Sequence, residues 1–464
     1  MKKYLYGASV QGIQSFIFEI NELKSIVGAS EIIKSINDKI ANEYGGHIMV
    51  NSAGNIKLIF NESDKEILED LVKNFLKKIK QNAFGITVSQ AVVAFEEGGL
   101  KEALVKLERR LVMQRNISEP PLDMSINILK LAPKTARPMV EKNKDKASLL
   151  KEAANTSTGE IPKNKKNKTA IIHADGNGLG VMIANMTEDL QSDEEVIAAY
   201  RNFSTKLDEA TQNAYEKAKR GIEEKDIREV ILGGDDMTVI CNADKALEFT
   251  KKFLEAFEEE TMKLLGSEGL TACAGIAYCN HKFPFHYAVN LAEALCSYAK
   301  NTSREDSSVM FHNIQSANFT DYESCVDQEL TLGEGAHETR LDYGPYFIKP
   351  KEGYATVGNF IYLTEAFKIK GSPISRLREW LTILGQDEAA AKERLRRINE
   401  MMDLRDDLYK KQSLEKCFRR FDENISLDNL TVYRDSKRYT PIGDVVMHLA
   451  VTDDTVNEKK AGEC

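Results

Sequence analysis

The chain has 464 residues, 42% of them apolar, and a formal net charge of −9. That length suggests roughly two to four domains and that apolar share fills ordinary cores, which excludes a disordered or fibrous chain. The acidic balance gives no sign of a basic face gripping duplex DNA, and no apolar run approaches the length of a membrane-spanning helix.

The N-terminus carries no signal-peptide pattern. Seven cysteines lie scattered at 241, 273, 279, 296, 325, 417 and 464, with no Cys-x-x-Cys pair. This fits reduced, buried thiols in a cytoplasmic protein and argues against a zinc ribbon or a disulfide framework.

In chain order, 4–9 reads as a strand and 12–18 as a turn with a short apolar helix. Residues 23–30 precede an amphipathic helix with Ile32, Ile33, Ile36 and Ile40 on one side. A hairpin over 47–60 turns at Ser52-Ala53-Gly54-Asn55, and a helix covers 63–81. A strand over 84–95, a helix over 100–112 and a short strand over 125–131 complete this unit, set at 1–132. The stretch 133–168, with Pro133, Pro138, Pro162 and many lysines, has linker composition, with a short helix near 146–154. Its basic run at 162–168 reads as solvated linker rather than a nucleic-acid contact.

A second unit, 169–318, repeats the order: strand 169–175, helices to 219, a hairpin, helix 244–265, strand 270–279, helix 285–300 and strand 308–314. The corresponding parts align without internal gaps. Ser9 lies over Asp175, Gly12 over Gly178, and Ala53-Gly54-Asn55-Ile56 over Gly233-Gly234-Asp235-Asp236. This reads as an internal duplication of one α+β unit, with the βαββαβ order of a ferredoxin-like sheet and its helices on one face. The remainder, 319–464, reads as mainly helical, with Leu377, Trp380, Leu381 and Leu384 as a core-facing stripe.

The chemistry concentrates in the second copy. Val230-Ile231-Leu232-Gly233-Gly234-Asp235-Asp236-Met237-Thr238-Val239-Ile240 is a β-hairpin with two acids at its turn. Alone it is also an ordinary surface turn. Upstream, however, the apolar strand 169–175 ends in Asp175, and Gly176-Asn177-Gly178 then opens a helix. A strand-end carboxylate beside such a hairpin is suited to hold two Mg²⁺ or Mn²⁺ ions over a nucleoside triphosphate. The glycines, Gly176, Gly178, Gly233 and Gly234, admit a phosphate close to the backbone, and Asn177 reads either as a turn former or as a base contact. The first copy lacks these acids and reads as catalytically dead.

These residues resemble the cyclase palm of the large subunit of type III CRISPR complexes, of the Csm and Cmr kinds. Ile171-Ile172-His173-Ala174-Asp175-Gly176-Asn177-Gly178-Leu179-Gly180 with Gly233-Gly234-Asp235-Asp236 resembles its active palm. Gly12-Ile13-Gln14-Ser15-Phe16-Ile17 followed by Gly28-Ala29-Ser30 is similar to its degenerate first palm. The resemblance implies ATP polymerised and cyclised into a cyclic oligoadenylate second messenger in antiviral defence. It implies Asp175, Asp235 and Asp236 as metal carboxylates, Lys300 and Arg304 on the triphosphate, and Gln14 and Ser30 as nucleotide contacts from the first palm. Implied partners are guide or target RNA and CRISPR complex subunits, and a homo-oligomer is compatible with the sequence. The family's HD nuclease domain and its zinc module between palms have no counterpart in this sequence, so a compact form without DNase activity is expected. Two alternatives stand: a non-catalytic palm scaffold of a ribonucleoprotein, or a different palm enzyme such as a cyclic dinucleotide synthase.

Overall fold

The computed structural model describes residues 2–52, 54–83, 86–116, 151, 160–265, 269–315, 322–333, 338–368, 372–403, 414–425, 428–434 and 436–453. The short strand expected at 125–131, all but residue 151 of the helix near 146–154 and most of a helix at 404–414 lie outside these residues.

The first unit runs β1 (Lys2–Gln11), α1 (Ile13–Ile17), α2 (Leu23–Tyr44), β2 (Ile48–Ser52), β3 (Asn55–Asn61), α3 (Lys65–Asn82), β4 (Thr87–Glu96) and α4 (Leu100–Arg115). Its sheet has the order β2-β3-β1-β4, the ferredoxin-like arrangement expected. The period of two along β1 separates two layers. Tyr6 and Ala8 pack with Ile26 and Ile36 of α2 and Phe75 of α3, whereas Leu5 packs with Leu104 and Leu107 of α4. The two helices inside the βαββαβ unit thus share a face, and α4 covers the other. The stretch 23–44 forms one helix: Ser25, Gly28, Ala29 and Ser30 are small and buried, letting α2 lie close to its neighbours.

The second unit runs β5 (Lys168–Gly176), α5 (Leu179–Glu188), α6 (Asp193–Lys219), β6 (Ile227–Gly233), β7 (Asp236–Asn242), α7 (Ala243–Leu265), β8 (Ala272–Asn280), α8 (Phe285–Thr302) and β9 (Ser308–Asn313). Ser192 and Glu195 close a capping box at the start of α6. Ala170, Ile172 and Ala174 pack with Phe203 of α6 and Phe253 of α7, while Ile171 faces Ala288 and Ala292 of α8.

The C-terminal region contributes α9 (Tyr322–Gln328), β10 (Thr331–Leu332), β11 (Thr339–Arg340), β12 (Tyr346–Phe347), α10 (Val357–Lys368), α11 (Ile374–Leu384), α12 (Glu388–Asp403), α13 (Leu414–Phe421), β13 (Val432–Arg434), β14 (Lys437–Tyr439) and α14 (Ile442–Val451). Among the described residues it is helical with a small sheet, β10-β11-β14-β13, while β12 extends the second palm's sheet to β12-β9-β8-β5-β7-β6. Leu377, Trp380 and Leu384 are buried, as their helical spacing requires, in a core continuous with that palm.

The basic run before β5 is not a free linker. Asn164 is buried and donates to Asp244 Oδ1 at 2.8 Å, and Lys166 Nζ donates to Leu449 O near the end of α14 at 3.2 Å. A lysine at a helix C-terminus satisfies carbonyls the helix leaves open.

The two palms share a core and polar ties. Asp193 of α6 accepts from the backbone N–H of Gly98 at 2.8 Å and Leu100 at 3.2 Å, capping the start of α4. Arg201 Nε donates to Ile48 O at 2.9 Å, and Asn21 Oδ1 accepts from Phe285 N at 2.8 Å. Ser30 of α2 donates to Val230 O of β6, and Lys34 pairs with Glu229 at 2.7 Å.

Candidate active site at the second palm

Antiparallel registers bring the acids together. Asp175, near the end of β5, stands opposite Asp236, the first residue of β7, and Gly233 of β6 pairs with the same Asp236. Gly234 and Asp235 form the turn between them, with Gly234 at φ +62°, a left-handed conformation that favours glycine. One carboxylate oxygen from each of Asp175, Asp235 and Asp236 lies within 4.8 Å of the other two.

The same register corrects the alignment of the two copies. In the first palm Ser9 pairs with Asn55, and the hairpin closes on Ser52 and Asn55. Asn55 therefore corresponds to Asp236, and Gly54, not Asn55, to Asp235. Equal turn lengths hide this one-residue offset, because the left-handed glycines, Gly54 and Gly234, fall at different positions of their turns. The first copy still lacks all three acids. Gly12 and Gly178 do correspond, each a left-handed residue before a helix, at φ +65° and +73°.

Crowded carboxylates perturb one another. Burial, then the charge of Asp175, pushes the Asp235 carboxyl up to about 7. Asp236 is raised well above the ordinary range by burial, then by Asp235 and Asp175. The donor set is thus short of positive charge, which is what a divalent cation supplies to clustered oxygens. Lys300 provides part of it: its Nζ pairs with Asp175 Oδ2 and donates to Gly176 O at 2.8 Å. His173, two residues upstream, is held neutral, pushed down to about 4 by burial, and lies 3.1 Å from Thr238 Oγ1.

Other sequence-predicted residues divide. Gly176 is a packing requirement: a Cβ there would sit 2.9 Å from Asp235 Cβ. Asn177 is buried; its N–H donates to Thr271 O at 2.8 Å and its Nδ2 to Thr271 Oγ1 at 3.0 Å. It braces the turn from within rather than facing a base, because the strand register places Thr271 beside it. Gly178 offers no side-chain cap, so the first N–H groups of α5 stay open. Arg304 is exposed in the loop after α8. Gln14 and Ser30 line a cleft of about 730 Å³ between the palms, which reaches Gly233 and Asp236 on its other wall. The Ser30 hydroxyl proton is committed to Val230 O.

Sequence reasoning missed Asp208 and Thr211 of α6. Asp208 Oδ1 accepts from Gly234 N at 3.1 Å and Thr211 Oγ1 donates to Gly234 O at 2.5 Å, so one helix holds both backbone polar groups of the turn glycine. Their i, i+3 spacing was the only signal in the chain.

Fold and acids together define a protein of paired palms, one without the acids and one bearing a cluster of three carboxylates. Residues 168–309 match the family model described as Cas10/Cmr2, second palm domain, the kind of palm that the motifs resemble. No curated protein matches the chain. Among solved structures, a Csm1-Csm4 cassette in complex with pppApA superposes with a TM-score of 0.54 at 13% identity, covering 97% of this chain and 70% of that one. A cassette in complex with cA3 gives 0.54 at 14% identity with the same coverages. Csm1 of T. onnurineus gives 0.52 at 16% identity, again over 97% and 70%. The chain spans 54% and 57% of the length of the matched chains in two further Csm1-Csm4 structures. At these identities the likeness speaks to the fold.

Proposed function

We propose that the protein is a metal-dependent nucleotidyltransferase that joins ATP units through 3′–5′ links and closes them into a cyclic oligoadenylate, within type III CRISPR antiviral defence. The observation that carries the reading is the convergence of Asp175, Asp235 and Asp236 within 4.8 Å beside Lys300. These three carboxylates would hold two Mg²⁺ or Mn²⁺ ions. Such ions, when bound, polarise the α-phosphate and acidify the attacking ribose hydroxyl.

The chain's own residues do the rest. Lys300 offsets the charge of Asp175 and keeps a cation at the site. The uncapped start of α5 presents N–H groups to an anion, where the helix dipole also favours negative charge. Asp208 and Thr211 fix the turn that aims Asp235 and Asp236, so little reorganisation is needed on binding. The interpalm cleft, at about 730 Å³, falls within the range of roughly 300–1,000 Å³ usual for small-molecule sites. Gln14 on its first-palm wall is placed to contact a nucleotide. Adenine is favoured by the likeness to cassettes solved with pppApA, AMPPNP and cA3. A Csm4-like subunit and RNA are the corresponding partners.

Incubation of the purified chain with each of the four NTPs and Mg²⁺ or Mn²⁺, with products resolved by mass, tests this. Cyclic oligoadenylates that vanish in an Asp235→Ala/Asp236→Ala variant support it. Absence of pyrophosphate release from every nucleotide, with and without target RNA, overturns it.

A further inference from the structure

A second cluster of ligand-type atoms lies near the β9 edge of the palm sheet, away from the β6 edge that borders the interpalm cleft, where α9 packs on β9. His312 of β9 and Cys325 of α9 are 2% and 1% exposed. Cys325 Sγ lies 3.1 Å from His312 Nε2, and Glu329 Oε2 lies 3.8 Å from the same nitrogen. One ligand atom from each residue falls within 4.8 Å of the other two. Cys325 and Glu329 stand one helical turn apart: Glu329 N donates to Cys325 O at 2.9 Å, carrying the α9 geometry one residue on. That i, i+4 spacing puts both side chains on one face, as in helical metal motifs.

The surroundings are apolar, built from Leu295, Ala299, Met310, Val326 and Leu330. A thiol, an imidazole and a carboxylate gathered in such a place need a reason. Hydrogen bonding alone does not supply it: His312 Nδ1 is buried with no hydrogen-bond partner among the described residues. Nor, among the described residues, does a lysine or arginine pair with Glu329, whose side chain is 27% exposed.

We propose that His312, Cys325 and Glu329 form a zinc site that pins α9 to the palm sheet. A thiolate and a carboxylate bring two negative charges that Zn²⁺ cancels, leaving the cluster neutral in its apolar setting. Zinc bonds of about 2.0–2.3 Å to N, O and S set tetrahedral edges of roughly 3.4–3.6 Å. The 3.1 and 3.8 Å separations bracket these edges. Mixed nitrogen, sulfur and oxygen donors favour zinc over Mg²⁺, which takes oxygen alone. The fourth position opens on the Glu329 side, where water completes the tetrahedron. This site is independent of the nucleotide chemistry, and its failure leaves that reading untouched.

The test is metal analysis of the full-length chain after exhaustive dialysis. About one zinc per chain is expected, retained in the Asp235→Asn/Asp236→Asn variant and lost in Cys325→Ser and His312→Ala. Reloading metal-free protein with Co²⁺ is expected to give a thiolate-to-cobalt charge-transfer band that Cys325→Ser lacks. Should the buried variants fail to fold, Glu329→Gln, at the exposed edge, is expected to weaken Co²⁺ affinity at least tenfold. Wild-type protein with neither zinc nor the cobalt band overturns the proposal, as does zinc that persists in all three single variants.

Discussion

Arg115 occupies in the first palm the place that Lys300 holds in the second. Each lies fifteen residues after the first residue of its helix, α4 or α8. Arg115 Nη2 donates to Ser9 Oγ at 3.0 Å, while Lys300 pairs with Asp175, the counterpart of Ser9. The neighbouring pair follows suit: Gln11 donates to Ser89 Oγ as Asn177 donates to Cys273 Sγ. Both copies carry a cation at this post, although the first lacks the acids. On the proposed function this post in the second copy would face developing phosphate charge, so Lys300→Ala is expected to lower turnover by roughly 10²–10³-fold. Lys300→Arg is expected to retain more. Steady-state kinetics on ATP, with circular dichroism to verify folding, measures both.

The carboxyl pair predicts a pH dependence of stability. Asp235 is raised from 3.8 to about 7, and Asp236 is raised as well. A carboxyl whose folded pKa exceeds its unfolded value favours the fold fully at low pH and loses that contribution as pH climbs through the folded value. In metal-free buffer, therefore, these groups lower Tm as pH rises from 3.8 toward about 7. Asp235→Asn/Asp236→Asn is expected to flatten that decline. Divalent cations compete with the protons, so Mg²⁺ affinity is expected to rise over the same interval. Thermal melts across pH with and without Mg²⁺ read both effects.

Gly275 of β8 is where α8 meets the sheet. A Cβ there would lie 1.9 Å from Ala292 O and 2.6 Å from Cys296 N. Gly275→Ala must displace backbone, so a loss of about 3 kcal/mol or more is expected, at the upper end of overpacking costs. Because α8 carries Lys300, turnover is expected to fall beyond what the lost stability explains. Urea unfolding paired with kinetics at low temperature separates the two.

Asp208 receives the Gly234 N–H at 3.1 Å. Asp208→Ala is expected to cost about 1–3 kcal/mol, the penalty of an unsatisfied partly buried donor. It is also expected to reduce turnover roughly tenfold through a looser turn, with Asp208→Asn recovering part of both. Tm and kcat of the two variants, compared with wild type, check this.

The acids, their strands and the duplication were legible because β-branched runs ending in Asp175 and in Gly233-Gly234-Asp235-Asp236 are local signals. What stayed hidden depends on contacts distant along the chain. Asp208 and Thr211 look like ordinary helix-surface residues until α6 lies against the hairpin. Asn177 reads as a turn former or a base contact until β8 brings Thr271 beside it. The strands β10 to β14 have only two or three residues each, too few for alternation to register. The stretch 23–30 read as preceding the amphipathic helix rather than belonging to it, because Gly28 is a poor helix former and Gly28, Ala29 and Ser30 add no large apolar side chain to the periodic stripe; their small size matters only against a neighbour.

Ser30 and Lys34 grip the strand that leads into the acidic turn. The first palm therefore has a handle on the palm that carries the acids. A subunit or nucleic acid that tilts α2 would drag β6 and retune the spacing of Asp235 and Asp236 from a distance. Though it lacks the acids, the first palm sits as a lever on the second.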